Sequence, residues 1–394
     1  MTQGRGFPRL AGVLIAAMML LLAGCASSTV RTTETTPVIT GDPAMPEDQL
    51  LDVGVRLFDP GLEMLDEKEI MTAPEIRKAE ARFFPTVLVD TLQRSGHWGA
   101  VRVEPAQTGV TDIVLDGRII ESTGEELQLE ITASDSSGAQ WYTRRYEGTA
   151  SKYSYDAKRG PDPFQDVYNR IVNDLALYRA RLQPAKVREL RTISELRFAE
   201  SFSPQAFGGY LQTDKKGISR IQRLPADNDP MLARIRQIRE RDNLFVDTLQ
   251  DYYNGFARQM SGPYQDWRKE SYTESLAYKE LRQQATLRTV AGIAAVLVGA
   301  AAATTGDSST SRAAGTIGVI GGASMIKSGM DKRAESKMHA ETLLELGGSL
   351  GAEISPQVID LDERSVTLTG TVEDQYTQWR AILHGIYAAE TGSI

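Results

Sequence analysis

The feature that most constrains this chain is the stretch VAGIAAVLVGAAAATTGDSSTSRAAGTIGVIGGASMIKSG, Val290 to Gly329. Two uncharged arms of fourteen residues each, Val290–Ala303 and Ala313–Ile326, flank a polar turn. As helices at 1.5 Å per residue each arm is about 21 Å long, short of the roughly 30 Å hydrocarbon core of a bilayer. At least half of each arm is Ala or Gly, whose transfer into lipid is worth little. Neither arm is a comfortable single span. Gly292 and Gly299 in the first arm, and Gly315, Gly318, Gly321 and Gly322 in the second, recur at spacings of three, four or seven. They therefore line helix faces on which another backbone can approach closely. Each glycine costs a helix about 1 kcal/mol, so this many in one segment points to a packing use. The pattern predicts an antiparallel helical hairpin turning at TTGDSSTSR, with Gly292, Gly299, Gly315, Gly318 and Gly322 as helix-packing or oligomer-forming positions. Two other readings stay open: tips of several copies that enter a bilayer together or form a ring, and a flexible tip.

Residues 1–24 stand apart from the rest. Arg5 and Arg9 precede an apolar run from Leu10 to Leu22 that is too short for a span and has the form of a signal peptide. The run ends in Leu22-Ala23-Gly24-Cys25, which resembles the bacterial lipoprotein box. In that family the small residues admit the signal peptidase, and the thiol of the cysteine, here Cys25, receives a diacylglycerol. Cys25 is the only cysteine of the chain, so no disulfide forms within one chain and stability must come from packing. The resemblance further implies sorting by the residues after the cysteine. Ala26 and Ser27 stand there with no aspartate to retain the protein at the inner membrane, which implies the outer membrane. The acyl chains would hold the start of the mature chain on the bilayer.

Removing residues 1–24 takes away Arg5 and Arg9 and no acid, so the formal charge falls from -8 to -10. An acidic chain argues against nucleic acid as a partner. Residues 25–50, rich in Thr, Ser and Pro, read as a flexible tether.

Residues 51–184 read as a small α+β domain with one sheet and helices on one face. Asp52–Asp59 alternates as a strand. Thr72 with Glu75 offers a capping box for a helix that Pro85 is expected to kink. Ala100–Pro105, Asp112–Ser122, Glu126–Asp135 and Gln140–Ser151 alternate apolar and polar as strands, with turns at STGE and DSSGA. Asp162-Pro163 is read as the N-cap and first residue of another helix. The strand, the helix ending in LVDTLQRSGHWGAVRVEP and the strand TDIVLDGRIIES together are similar to the amino-terminal domain of TolB and to the periplasmic domain of the curli-secretion lipoprotein CsgG. The shared features are a helix ending in a pair like Ser95-Gly96 before a strand, and a run like Thr111-Asp112 opening the next. The resemblance covers about a hundred residues. It implies a periplasmic interaction or ring-forming domain with no active site. The chain lacks the long alternating hairpins of a membrane barrel, which argues against a secretion pore of the CsgG kind.

Residues 185–228 begin as a helix and continue as a Gly-, Asp- and Pro-punctuated connector with one candidate strand. Asp229-Pro230 then opens a long helical pattern, the first half of a hairpin over 229–350 whose Gly/Ala-rich tip is 290–329. Met231, Ile235, Ile238, Phe245, Leu249, Tyr252 and Phe256 form a heptad seam if Asp242 is accepted as a polar interruption. Such a seam needs a partner helix, and Gly262-Pro263 is expected to break or kink it. In the return arm Met325, Met330, Met338 and Leu343 lie near one face, and Gly347-Gly348 ends it. Residues 351–394 read as two strands and a helix carrying Trp379, Ile382, Leu383 and Ile386 on one stripe, the end of a small αββα unit. SVTLTGTVED there is similar to the BON module of envelope proteins.

Catalytic patterns are nearly absent. There is no phosphate-binding G-x-x-x-x-G-K-[ST], no H-E-x-x-H and no C-x-x-C. Ser324 and Lys327 match S-x-x-K, but without the accompanying motifs that a penicillin-binding enzyme carries. His97, His339 and His384 are scattered, with no second ligand at metal-binding spacing. Asp112/Asp116 and Asp360/Asp362/Glu363 read as solvated strand ends and turns, because the spacing of a calcium loop is missing. Trp141, Tyr142, Tyr146, Tyr153 and Tyr155 read as strand core with an exposed edge rather than a binding face. The expected protein is a lipid-anchored outer-membrane lipoprotein facing the periplasm, not an enzyme, with no cofactor and no metal. Its partners would be the membrane through Cys25, envelope proteins, and in one reading further copies of itself. It would act as a scaffold or assembly factor, or alternatively as an oligomeric export channel built from the glycine-zipper tips.

Overall fold

A ten-residue strand that alternates half-buried and buried positions without a break, Glu126–Asp135, sits inside a five-stranded sheet. The computed structural model describes residues 35–64, 74–105, 111–155, 162–302, 356–361 and 364–392, with side chains of the long helix described as far as Leu276. The strands are β1 (Val53–Arg56), β2 (Val101–Glu104), β3 (Ile113–Ser122), β4 (Glu126–Asp135) and β5 (Gln140–Thr149), in the order β2-β1-β3-β4-β5. β1 runs parallel to both β2 and β3, with Val55 opposite Val103 and Leu115. β3, β4 and β5 form an antiparallel meander. The alternation puts Leu127, Leu129, Ile131 and Ala133 of β4 into the core, and leaves Glu126, Gln128, Glu130 and Thr132 on the half-exposed face.

The helices are α1 (Pro74–Ser95), α2 (Gln165–Arg179), α3 (Pro184–Phe202), α4 (Pro230–Ala302) and α5 (Val372–Thr391). A single turn at Pro204–Phe207 and a hairpin of β6 (Leu211–Thr213) and β7 (Ser219–Ile221) follow α3, and a second hairpin, β8 (Gln357–Leu361) and β9 (Arg364–Leu368), precedes α5. The fold is α+β, as the alternation patterns predict.

Helix starts follow local chemistry. Asp229 accepts from the backbone N–H of Met231 at 2.8 Å, so α4 begins where the Asp-Pro pair places it. Thr371 and Asp374 form a reciprocal capping box on α5. Asp162 behaves differently. Its carboxylate accepts from the N–H of Phe164 at 2.8 Å in a turn, and α2 begins only at Gln165. Pro163 therefore lies in the turn before the first helical residue, and the same carboxylate also reaches Arg268 at 3.1 Å. The capping pair expected at Thr72 lies outside the described residues, and α1 runs unbroken through Pro85.

Three further expectations are corrected. First, Gly262-Pro263 does not break α4, which is one helix from Pro230 to Ala302. A proline inside a helix costs about 3 kcal/mol, and here Met260, Tyr264 and Trp267 are buried on either side of it and offset that loss. Second, residues 185–228 hold the expected helix but two paired strands rather than one, and they pack into the core. Val187, Leu190, Phe198, Phe202 and Phe207 belong to the same hydrophobic core as the sheet, the base of α4 and α5. Third, the seam of α4 finds its partners in the α+β body and α5, not only in a return arm. Ile235, Ile238, Phe245, Leu249 and Phe256 are buried there, and the described parts of the segments 51–184, 185–228, 229–350 and 351–394 share one core.

The edge strand β2 is closed by α4 rather than left free. Gln250 accepts from the backbone N–H of Val103 at 2.6 Å, and Arg102 pairs with Asp247 at 3.0 Å. A helix over the edge removes the unpaired backbone groups that would otherwise recruit another strand. Farther along, the β3–β4 turn lies directly on the backbone of α4. A Cβ on Gly124 would stand 2.2 Å from the carbonyl oxygen of Arg268 and 2.4 Å from the N of Tyr272, so this approach requires glycine. The return arm, the Gly/Ala-rich tip from 303 onward, His339, Ser324 and Lys327 lie outside the described residues.

Candidate functional site

Among the described residues no group of three or more His, Cys, Asp or Glu side chains is placed to hold a metal ion. The polar chemistry of the interior gathers instead at two junctions where α4 meets the body. The first is built around Glu80 and Arg268, both fully buried. Glu80 of α1 accepts from the hydroxyl of Ser122 at 2.6 Å and from that of Tyr264 at 2.5 Å, and its other oxygen lies 3.8 Å from Arg77. Arg268 of α4 reaches Asp162 at 3.1 Å. Its guanidinium carbon sits 4.1 Å from the ring centre of Tyr264 and 4.6 Å from that of Phe164, with Phe84 at 5.7 Å. A delocalised, weakly hydrated cation between aromatic faces is the form in which a buried charge is best tolerated.

The second junction joins α4 to α5. Asp242 accepts from the hydroxyl of Tyr376 at 3.1 Å and pairs with Arg380 at 3.5 Å, while Phe245 and Trp379 pack with ring centres 5.1 Å apart. The polar interruption of the seam is thus a buried contact to a third helix. A small cleft opens beside it, lined by Asp52, Arg102, Glu104, Arg239, Asp242 and Tyr376. Glu104 is held on one side by the hydroxyl of Thr111 at 2.6 Å, and Gly54 leaves the space its carboxylate fills.

The other candidate carboxylates serve structure. Asp112 is not a solvated strand end. It is buried, accepting from the N–H of Asp52 at 2.9 Å and from Ser194 at 2.5 Å, so it ties β3 to β1 and α3. Asp116 pairs with Arg56 at the surface. Asp362 and Glu363 lie outside the described residues. Trp141 and Tyr146 are core, Trp141 stacking on Tyr178 at 4.5 Å, and Tyr153 is exposed. His384 stacks on Phe202 at 4.2 Å and His97 lies against Trp98. Gly292 and Gly299 lie on α4 seven residues apart. Gly315, Gly318 and Gly322, like Cys25, lie outside the described residues. None of the described helices is long and apolar enough to cross a membrane.

Burial raises the pKa of Glu80 above its ordinary value of 4.5, and those of Asp112 and Asp242 above 3.8. A carboxyl raised on folding binds its proton more tightly in the native state. Its contribution to stability is complete below the unfolded value and is lost as pH rises through the folded one. The urea midpoint is therefore expected to fall as pH rises above about 4.5, and Glu80→Gln should flatten that fall. An unchanged slope in Glu80→Gln would remove Glu80 from this account.

Two groups of buried polar side chains are not announced by the sequence, the junction around Glu80 and Arg268 and the amides Asn169 and Asn173 on α2. Their common signal is a polar residue on an otherwise apolar helical stripe.

No protein-family model matches the chain, and no curated protein matches it. Among solved structures the chain is similar to a PelC dodecamer from Paraburkholderia phytofirmans, at 16% identity over 36% of this chain and 95% of that one. The TM-score is 0.21, and a likeness at that level carries no argument.

Proposed function

We propose that the protein is a lipid-anchored lipoprotein of the outer membrane, facing the periplasm, and that it works without catalysis as a scaffold or assembly factor of a cell-envelope machine. The observation that carries the scaffold reading is the seating of α4. A helix running from Pro230 to Ala302 is locked at its base by two buried polar junctions, an edge-capping glutamine and a glycine that admits its backbone. Such a base gives a long helix a fixed direction, which is what a partner-holding element needs. The anchor reading is supported by Leu22-Ala23-Gly24-Cys25 after a charged start and an apolar run.

The test combines anchor and partner. Wild-type protein is expected to take up labelled fatty acid and to sediment with outer membrane, and Cys25→Ser to lose both. Crosslinked envelopes should yield a reproducible protein partner captured through α4. Recovery of the chain alone would count against a scaffold. Rings of this chain in detergent that vanish in Gly318→Leu would replace the scaffold by the channel reading.

A further inference from the structure

The second half of the expected tether is not a tether. Residues 35–50 lie along α2 and the end of α1, and the side chains that hold them read backbone. Asp166 accepts from the N–H of Thr36 at 2.7 Å, and Asn169 donates to the carbonyl of Thr36 at 2.7 Å. Asn173 donates to the carbonyl of Pro37 at 2.9 Å and accepts from the N–H of Ile39 at 2.8 Å. Positions 166, 169 and 173 share one stripe of α2. Asn169 and Asn173 are 6% and 8% exposed, so their amides sit in the interior with the strap as partner. An amide buried without such a partner is costly. Beyond Ile39, the N–H of Gly41 donates to the carbonyl of Ser95 at 2.7 Å. A Cβ on Gly41 would stand 2.2 Å from the carbonyl oxygen of Gly96, so only glycine permits this approach. Arg179 donates to the carbonyl of Gln49 at 2.5 Å and Arg191 to that of Leu50 at 2.9 Å, and the strap passes into β1.

We infer that residues 35–50 are a clamped strap that holds the body on a short leash to a lipid surface, with the amino-terminal turn of α2 as the point of departure. The inference rests on the reading that Cys25 carries the anchor. At most ten residues, 25–34, then separate the anchor from the strap, and even fully extended they reach no farther than about 35 Å. Without the strap, the whole of 25–50 would set that limit, at about 90 Å. The clamp therefore decides whether the body hugs the membrane or ranges away from it. Release of the strap would be the means of extending its reach.

The experiment uses the full lipidated chain on a supported bilayer. Hydrogen exchange of the Thr36, Ile39 and Gly41 amides is read beside the height of the body by neutron reflectometry. Two variants attack the clamp from opposite sides, Asn169→Ala with Asn173→Ala, and Gly41→Val. Wild-type amides are expected to be protected and the body close. Each variant should lose protection about tenfold or more at those amides while β4 amides stay protected. The mean height should rise by about 10 Å and its distribution broaden. Released amides with unchanged height would overturn the leash, as would wild-type amides exchanging like a free peptide. A wild-type chain that shows protected amides and yet does not stay on the bilayer would sink the anchor reading while leaving the strap intact.

Discussion

Replacing Arg268 with Ala is expected to lower the stability of the protein by about 3–5 kcal/mol, measured by urea unfolding at pH 7. The substitution leaves Asp162 without the guanidinium that reaches it at 3.1 Å and empties the space between Tyr264, Phe164 and Phe84. Both losses fall where α4 meets the body. Arg268→Met separates them, since it keeps most of the volume and removes the charge, and a charge-free interior of similar packing is often neutral in cost. Arg268→Met together with Asp162→Asn should therefore recover most of what Arg268→Ala loses. A cost below about 1 kcal/mol for Arg268→Ala would mean that the aromatic walls close without the cation, and that this junction does not hold the helix.

Trp379→Ala is expected to cost a similar amount, about 3–5 kcal/mol, by the large cavity it opens. Trp379 is 5% exposed and faces Phe245 across the α4–α5 contact, one turn from the Tyr376–Asp242 hydrogen bond. Because α5 meets the rest of the fold through this stripe and through Phe202, the loss should appear locally before it appears globally. Hydrogen exchange over Val372–Thr391 should accelerate at denaturant levels where the β4 amides remain protected. Trp379→Phe should cost clearly less. Uniform acceleration across sheet and α5 together would show that α5 is part of one cooperative unit with the sheet rather than a separately docked element.

The strands and most helix bounds were legible because their signals are local. An alternating run such as ELQLEITASD can bury one face only as a strand, and at Asp229-Pro230 the carboxylate meets the first free N–H groups of the helix it opens. The misreadings share the opposite cause. Pro263 predicts a break from its own chemistry, and the helix continues because Met260, Tyr264 and Trp267 are buried from outside. Asp162 has the form of an N-cap, and its carboxylate also pairs with Arg268, more than a hundred residues later, a contact no local pattern shows. The Thr- and Pro-rich run before β1 has the composition of a linker, yet Asn169 and Asn173 hold its backbone, and backbone hydrogen bonds leave no trace in the composition of the segment that is held.

The glycines divide along the same line. Gly124 and Gly41 sit in stretches where a glycine is unremarkable, and each is required by an approach of another backbone that no local pattern announces. For the row of glycines from Gly292 to Gly322 the spacing predicts a close approach, and from Gly315 on it lies outside the described residues. Sequence alone determined the α+β class, the alternating sheet and the helical register of Pro230 onward, because periodicity and capping act over a few residues. Only the tertiary structure decided that the seam of the long helix packs on the sheet body and α5, that its polar interruption is a buried contact, and that half of the tether is a strap. Each of those depends on which distant side chain fills a given space or satisfies a given buried polar group.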